Sequence, residues 1–313
     1  MKTAFRLMLA TFLFVCMASL MKAQSPEVTH NTWTSGTALP TGIVEPAGTA
    51  VLKGEIYVVG GQNSSGTVIA DTQIYNPATN TWTAGVPLPT ATEDGAAAVV
   101  KNILYIIGGD TSSGATNAVW AYNPKTKTWS GKAAMPTVRD SIGAVVEKNI
   151  IYVIGGEVEG SRFANVESYD PATDTWTEEA PLLVAKSEPS VGLIGTTIVA
   201  ADGFASGGDT GDNEGYNATT NSWRSLAPDP TTRNAACAAS IGPQLIVAGG
   251  YDGGTINLNE SFKLSKNMWK TLAPLPVTEM FGGATAYKGK LYCFGGWATF
   301  RGTVIDNVQI YQP

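Results

Sequence analysis

Residues 150–179 read IIYVIGGEVEGSRFANVESYDPATDTWTEE, and the chain repeats this pattern along its length. An uninterrupted apolar run ends at the glycine pair Gly155-Gly156, a second segment carries Tyr169, and a third carries Trp176 after an Asp-Pro turn. An apolar run without alternation is typical of a strand buried on both faces. Asp before Pro is typical of a tight turn. The stretch therefore predicts three strands.

Six copies of this unit occupy residues 31–312, with about 47 residues in each. One tryptophan marks each copy: Trp33, Trp82, Trp129, Trp176, Trp223 and Trp269. A ring aromatic precedes the turn in each copy: Tyr75, Tyr122, Tyr169, Tyr216, Phe262 and Tyr311. A repeat of this length indicates one supersecondary unit that buries its faces only against its neighbours.

Each copy also contains a strand of small apolar residues ahead of the long run, such as GAAAVV from Gly95. The sequence therefore predicts an all-β fold of six four-stranded sheets packed radially, a six-bladed β-propeller. The first repeated piece is a Trp strand at residues 31–35, and the last is a Tyr strand that ends at Tyr311. We expect the N-terminal strand to complete the last blade and close the ring.

The apolar run with its glycine pair, the aromatic and the tryptophan at this spacing resemble the Kelch repeat. The resemblance covers nearly all of residues 31–312, and the fourth copy departs most, with Asp202 in place of the first glycine. It implies a Kelch propeller, a fold whose members include enzymes, adaptors and sugar-binding proteins. Function therefore has to be argued from the site.

The first 23 residues resemble a secretory signal peptide. Lys2 and Arg6 precede a stretch of fourteen uncharged, mostly apolar residues, which is too short for a membrane-spanning helix. Cleavage after Ala23 would leave residues 24–313 as the propeller, secreted or periplasmic and with no membrane span. The two cysteines that remain, Cys237 and Cys293, lie in apolar strand patterns and are expected to be buried free thiols rather than a bridge.

Composition excludes several classes of function. The chain has 26 acidic and 20 basic residues, a net charge of −6 that argues against a nucleic-acid partner. The only histidine is His30, which excludes a Ser-His-Asp triad and, by the resemblance, the copper radical oxidases with Kelch blades. No metal-ligand spacing appears, so we expect no metal and no cofactor. Calcium at the Asp-rich loop of the fourth copy, around Asp209 and Asp212, is left open.

In a propeller, the loops between blades and the loops after the second strands surround one mouth of the central channel. Each blade places a different polar residue before its innermost strand, and a tryptophan outside the repeated series lies in the last loop. This pattern suits hydrogen bonding to a polyhydroxy or anionic ligand. The predicted ligand-binding residues are Arg139, Lys186, Arg233, Trp297 and Arg301.

Three interpretations follow for function. The first is an exported binding module whose partner is a glycan or an extracellular protein. The second is an enzyme acting on a small sugar acid, because the exported N-acetylneuraminate mutarotase (epimerase) family is a similar six-bladed Kelch propeller. Glu93, Asp140 or Glu279 would supply acid–base catalysis, and Arg139 or Arg233 would hold the sugar carboxylate. The third is a scaffold that uses its blade edges.

Overall fold

The computed structural model describes residues 30–313, so the predicted signal peptide lies outside the described residues. The described chain is all-β apart from one short 3-10 helix, Leu264–Lys266. Residues 30–313 include no helix with the length and apolar character that crossing a membrane requires.

Six four-stranded antiparallel sheets form the blades of a propeller. Blades one to three comprise, from the innermost strand outward, Gly48–Leu52, Glu55–Val59, Thr72–Asn76 and Thr81–Ala84; Ala96–Val100, Ile103–Ile107, Val119–Asn123 and Thr128–Gly131; Gly143–Glu147, Ile150–Ile154, Val166–Asp170 and Thr175–Glu179. Blades four to six comprise Ser190–Ile194, Thr197–Ala201, Asn213–Asn217 and Ser222–Ser225; Cys237–Ile241, Gln244–Ala248, Asn259–Lys263 and Met268–Thr271; Gly283–Tyr287, Lys290–Phe294, Val308–Gln312 and Thr32–Ser35.

Short strands lie in the loops that enter the blades and in the loops that follow their second strands. They are Ile43–Val44, Gln62–Asn63, Asp110–Thr111, Gly114–Ala115, Glu157–Val158, Ser161–Arg162, Lys186–Ser187, Phe204–Ala205 and Gly208–Asp209.

The last blade is built from both ends of the described chain. Thr32–Ser35 pairs antiparallel with Val308–Gln312, so that Trp33 lies opposite Tyr311. The innermost strands neighbour one another in cyclic order, with that of blade one beside that of blade six.

Burial follows the repeat pattern. The second strands are almost completely buried, as Ile151, Val153 and Ile154 illustrate in blade three. The innermost strands carry small residues because six of them converge around the channel, and at Gly143 a Cβ would lie 2.6 Å from the Val191 side chain of the next blade. Most of the apolar core therefore lies between adjacent blades.

Each repeat tryptophan ties its blade to the preceding one. The Nε1 atoms donate to backbone carbonyls 2.8–3.1 Å away, in the pairs Trp33–Ala273, Trp82–Thr37, Trp129–Val86, Trp176–Ala133, Trp223–Ala180 and Trp269–Ala227. The first of these pairs joins the N-terminal strand to the segment that follows blade five. The spacing of the tryptophans is thus the spacing of the contacts between blades.

The glycine pairs allow the loop that enters the next blade to approach closely. Gly155 has φ +65°, and a Cβ there would lie 2.5 Å from the carbonyl oxygen of Lys186, which precedes blade four. The amide of the second glycine donates to the neighbouring inter-blade segment in every blade: Gly61–Thr92, Gly109–Arg139, Gly156–Lys186, Gly203–Arg233, Gly250–Glu279 and Gly296–Ile43. The glycines therefore position the backbone around the channel mouth.

The two cysteines differ from the expectation of free thiols, because Cys237 and Cys293 form a disulfide with Cα atoms 5.9 Å apart. Cys237 begins the innermost strand of blade five, and Cys293 lies on the second strand of blade six. Two apolar strand patterns 56 residues apart gave no sign that their strands pack side by side. A cross-link closing a loop of this length stabilises a fold by about 2–4 kcal/mol.

Candidate functional site at the channel mouth

Six residues at equivalent positions, one before each innermost strand, surround the channel mouth. We call them the mouth ring: Glu45, Asp94, Ser141, Glu188, Ala235 and Phe281. All six have left-handed backbone conformations, with φ between 50° and 56°. The amide of one ring residue donates to the carbonyl of the preceding one at 2.7–2.9 Å, in the pairs Asp94–Glu45, Ser141–Asp94, Glu188–Ser141, Phe281–Ala235 and Glu45–Phe281. Because these backbone groups are satisfied within the ring, the side chains supply its chemistry.

Two adjoining cavities meet at the mouth ring. The channel below it has a volume of about 210 Å³ and is lined mainly by glycine, alanine and proline of the innermost strands. The mouth above it has a volume of about 490 Å³ and is lined by side chains of the inter-blade and second-strand loops. The upper cavity is the candidate site because its polar and aromatic groups converge there.

The two sides of the mouth differ in chemistry. The residue after each glycine pair is polar in blades one to three and aromatic in blades four to six: Gln62, Asp110, Glu157, Phe204, Tyr251 and Trp297. Each of these residues pairs through its backbone with the residue before the mouth ring. In blades two and three those partners are Glu93 and Asp140, so each of these blades sets two carboxyl groups side by side.

We call the carboxyl side the acidic half: Glu45, Glu93, Asp94, Asp110, Asp140, Glu157 and Glu188. Few neutralising contacts occur within it. Gln62 Nε2 donates to Glu93 Oε2 at 3.2 Å, Ser141 Oγ donates to Asp94 Oδ2 at 2.6 Å, and Arg162 forms an ion pair with Glu157 at 3.4 Å. The hydroxyl of Ser141 also lies 3.0 Å from Asp140 Oδ1.

Burial and mutual repulsion raise the pKa values of these carboxyl groups. Burial is the largest cause throughout, and nearby carboxylates add to it. The pKa of Glu45 rises to about 9, those of Glu93 and Asp140 to about 7, and that of Asp94 to about 6. The pKa of Glu188 also lies well above its ordinary value. Near neutral pH the acidic half therefore holds protons that a ligand can displace or share.

We call the other side the aromatic half: Phe204, Tyr251, Phe281, Trp297 and Phe300. Trp297 lies edge-on to Phe281 and to Phe300, with ring centroids 5.6 and 6.0 Å apart, and Phe300 lies 5.3 Å from Tyr251. Phe300 is half exposed. Arg301 lies over the Phe300 ring at 5.3 Å. A cluster of partly exposed rings beside charged groups suits stacking against a sugar ring.

Four of the predicted site residues lie at the mouth. Glu93, Asp140, Trp297 and Arg301 all line the upper cavity. Glu93 and Asp140 belong to adjacent blades of the acidic half, whereas Trp297 and Arg301 belong to the last loop.

The other four predicted site residues are completely buried, so they do not face the mouth and the prediction from sequence is corrected here. They are Arg139, Lys186, Arg233 and Glu279. Arg139 donates to Glu167 at 2.8 Å and to the Asn165 carbonyl at 3.0 Å. Lys186 forms an ion pair with Glu214 at 3.3 Å. These groups hold each blade to the loop that enters it, so they are unsuited to contacting a ligand.

Arg233 and Glu279 are engaged in the same way. Arg233 pairs with Glu260 and lies 3.4 Å from Asp229. Glu279 accepts a hydrogen bond from Gln309 at 2.7 Å, and burial raises its pKa to about 8.

Neighbouring residues in an extended segment point in opposite directions, so Asp140 reaches the mouth while Arg139 turns into the blade.

The Asp-rich loop of blade four does not assemble a calcium site from its carboxylates. Asp209 accepts a hydrogen bond from Asn234, Asp212 from Thr210, and Glu214 from the backbone of Leu183. Within residues 30–313, one group of potential metal ligands converges, Cys237, Glu279 and Cys293, and its sulfurs belong to the disulfide.

We predict that thermal stability falls as the pH rises. Carboxyl groups with raised pKa values bind more protons in the folded chain than in the unfolded one between about pH 4.5 and pH 9, so unfolding becomes easier as pH increases through this range. The melting temperature should decline from pH 5 to pH 8, and the free energy of unfolding should fall by at most about 1.4 kcal/mol per pH unit for each proton involved. Glu45→Gln should flatten the decline, and Glu178→Gln on an exposed strand should not. A profile that rises over this range in the parent chain would contradict the repulsion described for the acidic half.

This chain is similar to known proteins both in its sequence pattern and in its fold. A family model described as the KLHDC2/KLHL20/DRC7 Kelch-repeats domain matches residues 22–208. A solved structure titled "Structure of YjhT" superposes with a TM-score of 0.76 over 87% of this chain and 95% of that chain, at 19% sequence identity. At that identity the likeness concerns the fold. No curated protein sequence matches this chain significantly.

Proposed function

The chain belongs to the Kelch-repeat family, and from that premise we propose that it is an exported binding module whose channel mouth receives a carbohydrate. The observation that carries the proposal is the division of the mouth between the acidic and the aromatic halves. Carboxyl groups accept hydrogen bonds from sugar hydroxyls, while aromatic rings pack against the apolar face of a sugar. A cavity of about 490 Å³ suits a ligand of one or two sugar rings.

The blade edges support a scaffold role less well. On the outermost strands of the described blades, Met268 is the one large hydrophobic side chain that is substantially exposed. A partner that docks by its apolar surface would need a larger patch.

A glycan array that displays neutral, amino-bearing and acidic sugars tests the proposal. The mature chain should bind, and Trp297→Ala should lose at least tenfold in affinity because it removes the central ring of the aromatic half. The melting temperature of this variant should change little, since Trp297 is partly exposed and its indole is not one of the six that donate to the backbone of a neighbouring blade. Trp176→Ala, at a repeat position, should instead lower the melting temperature. Binding unaffected by Trp297→Ala would refute a mouth site.

A second candidate function is acid–base catalysis of sugar ring opening and closing. It is favoured by Glu93 and Asp140, whose pKa values of about 7 suit groups that exchange protons at neutral pH. The sialic acid mutarotase interpretation also needs a cation for the sugar carboxylate. Arg139 and Arg233 are buried, which leaves Arg301 for that task and favours sugars without a carboxylate.

Proton NMR of freshly dissolved sugars tests this second candidate. If it holds, a trace of protein should speed anomer equilibration of glucose more than that of N-acetylneuraminate. Asp140→Asn and Glu93→Gln should abolish the acceleration. Unchanged equilibration rates for both sugars would leave the chain a binding module.

A further inference from the structure

The charge balance of the upper cavity is strongly one-sided. Its lining contains eight carboxylic side chains and one basic one, Arg301. The potential in such a concave, partly enclosed site attracts positive groups and repels negative ones. An acidic sugar is therefore a poor match for this cavity.

Glu188 is a residue of the acidic half that has a carboxyl oxygen without a hydrogen-bond partner in the described part of the chain. Its side chain lines both the channel and the mouth. Its Oε2 atom is enclosed and has no hydrogen-bond partner among the described residues. A buried carboxylate oxygen without a partner is costly, and a positively charged donor would satisfy it. Asp94, Glu157 and Glu45 lie close enough to raise the pKa of Glu188 by repulsion, in addition to burial.

The aromatic half is also suited to positive groups. Arg301 lies over Phe300, and Arg162 lies 4.3 Å from the centre of the Phe204 ring. Cations are attracted to the faces of aromatic rings. The rings that line the upper cavity, Phe281, Trp297 and Phe300, have the same chemistry and are compatible with a cationic substituent on a sugar.

We propose that the ligand of the channel mouth is an amino sugar, bound with its amine as an ammonium group between the acidic half and the aromatic half. This inference rests on the proposed carbohydrate-binding function and specifies its ligand class. The ammonium group can donate three hydrogen bonds, and the Glu188 carboxyl, which lines the mouth, is one of the acceptors, while the sugar ring packs on Trp297. Because binding draws the acidic half toward its ionised form, the complex releases protons near neutral pH.

Calorimetric titration with two sugars of the same ring but different charge tests the inference. At pH 7, glucosamine should bind at least tenfold more tightly than N-acetylglucosamine, and N-acetylneuraminate should bind least. Glucosamine affinity should fall with added salt, and the apparent heat should depend on the ionisation enthalpy of the buffer because protons are released.

Variants separate charge from shape. Glu188→Gln should reduce glucosamine affinity about tenfold more than it reduces N-acetylglucosamine affinity, and Glu45→Gln provides a second, independent test. Glu178→Gln, on the exposed outer strand of blade three, is the matched control and should change neither affinity. Melting curves of each variant establish that it is folded.

The outcomes distinguish this inference from the proposed function. Equal affinities for glucosamine and N-acetylglucosamine would overturn the amino-sugar inference while the carbohydrate site stands. Calcium chloride binding that competes with glucosamine and is lost in Glu188→Gln together with all sugar discrimination would overturn it in favour of a metal site. Failure of every class of glycan to bind would overturn the proposed function as well.

Discussion

Replacing Arg139 by methionine is expected to lower the free energy of unfolding by about 3–5 kcal/mol, because it leaves the buried Glu167 carboxylate without its partner. Both side chains are buried, and Arg139 also donates to three backbone carbonyls, those of Val153, Gly155 and Asn165. Chemical denaturation of the variant and the parent chain measures the change. Glycan binding per folded molecule should be retained, because Arg139 does not line the mouth.

Two further variants make this prediction specific. Blade six has a glutamate at the equivalent position, Glu279, which pairs with Gln309. The double variant Arg139→Glu with Glu167→Gln copies that pair and should recover much of the lost stability. Lys148→Met removes an ion pair whose lysine is exposed to solvent, although its partner Glu147 is buried, and it should cost less than Arg139→Met does. A fully stable Arg139→Met chain that no longer binds glycan would contradict the structural role of Arg139 and indicate that it contacts the ligand.

Removing the N-terminal strand is expected to abolish cooperative folding. A chain that begins at residue 37 lacks Thr32–Ser35, the outermost strand of blade six. It also loses the contact between the tilted rings of Trp33 and Tyr311, with ring centroids 5.0 Å apart, and the hydrogen bond from Trp33 to Ala273. Trp33 is partly buried, and loss of its ring together with the whole strand should remove a large part of a stability that is about 5–15 kcal/mol for typical domains. Differential scanning calorimetry should show no sharp transition.

A chain that begins at residue 30 is the control, and it should melt like the mature protein. Adding a synthetic peptide of residues 30–36 to the shortened chain should restore the transition, since the edge of Val308–Gln312 is free to pair with an added strand. An unchanged melting curve for the shortened chain would contradict the role of the N-terminal strand in blade six.

The fold was predictable because its signals recur six times. The tryptophan, the glycine pair and the aromatic each make one contact between or within blades. Because each pattern occurs six times, it can be recognised as structural rather than accidental. The N-terminal strand is a good example, since its Trp33 was recognisable as a sixth copy displaced to the start of the chain. The disulfide was not predictable in the same way, because Cys237 and Cys293 occur once each and their proximity depends on how two blades pack.

The site was predicted only in part. The position of a residue in the repeat places it near the channel mouth but does not show whether its side chain points into the mouth or into the blade. Arg139, Lys186 and Arg233 look like a row of ligand-binding cations. Each is accompanied by a glutamate on the third strand of its own blade, Glu167, Glu214 or Glu260, while Glu279 is accompanied by Gln309. This covariation between repeats indicates from the sequence that the residues pair within each blade. The aromatic half could also have been predicted, from the residue that follows each glycine pair.

Chemical-shift mapping tests the central claim, that the channel mouth binds carbohydrate, most directly. Amide resonances of the mature, nitrogen-15-labelled chain would be followed while glucosamine and, separately, N-acetylglucosamine are added. If the channel mouth binds carbohydrate, saturable shifts should concentrate in the mouth ring and in the residues after the glycine pairs, from Asp110 to Trp297. Saturable shifts confined to the outermost strands, or no saturable shift with either sugar, would contradict it.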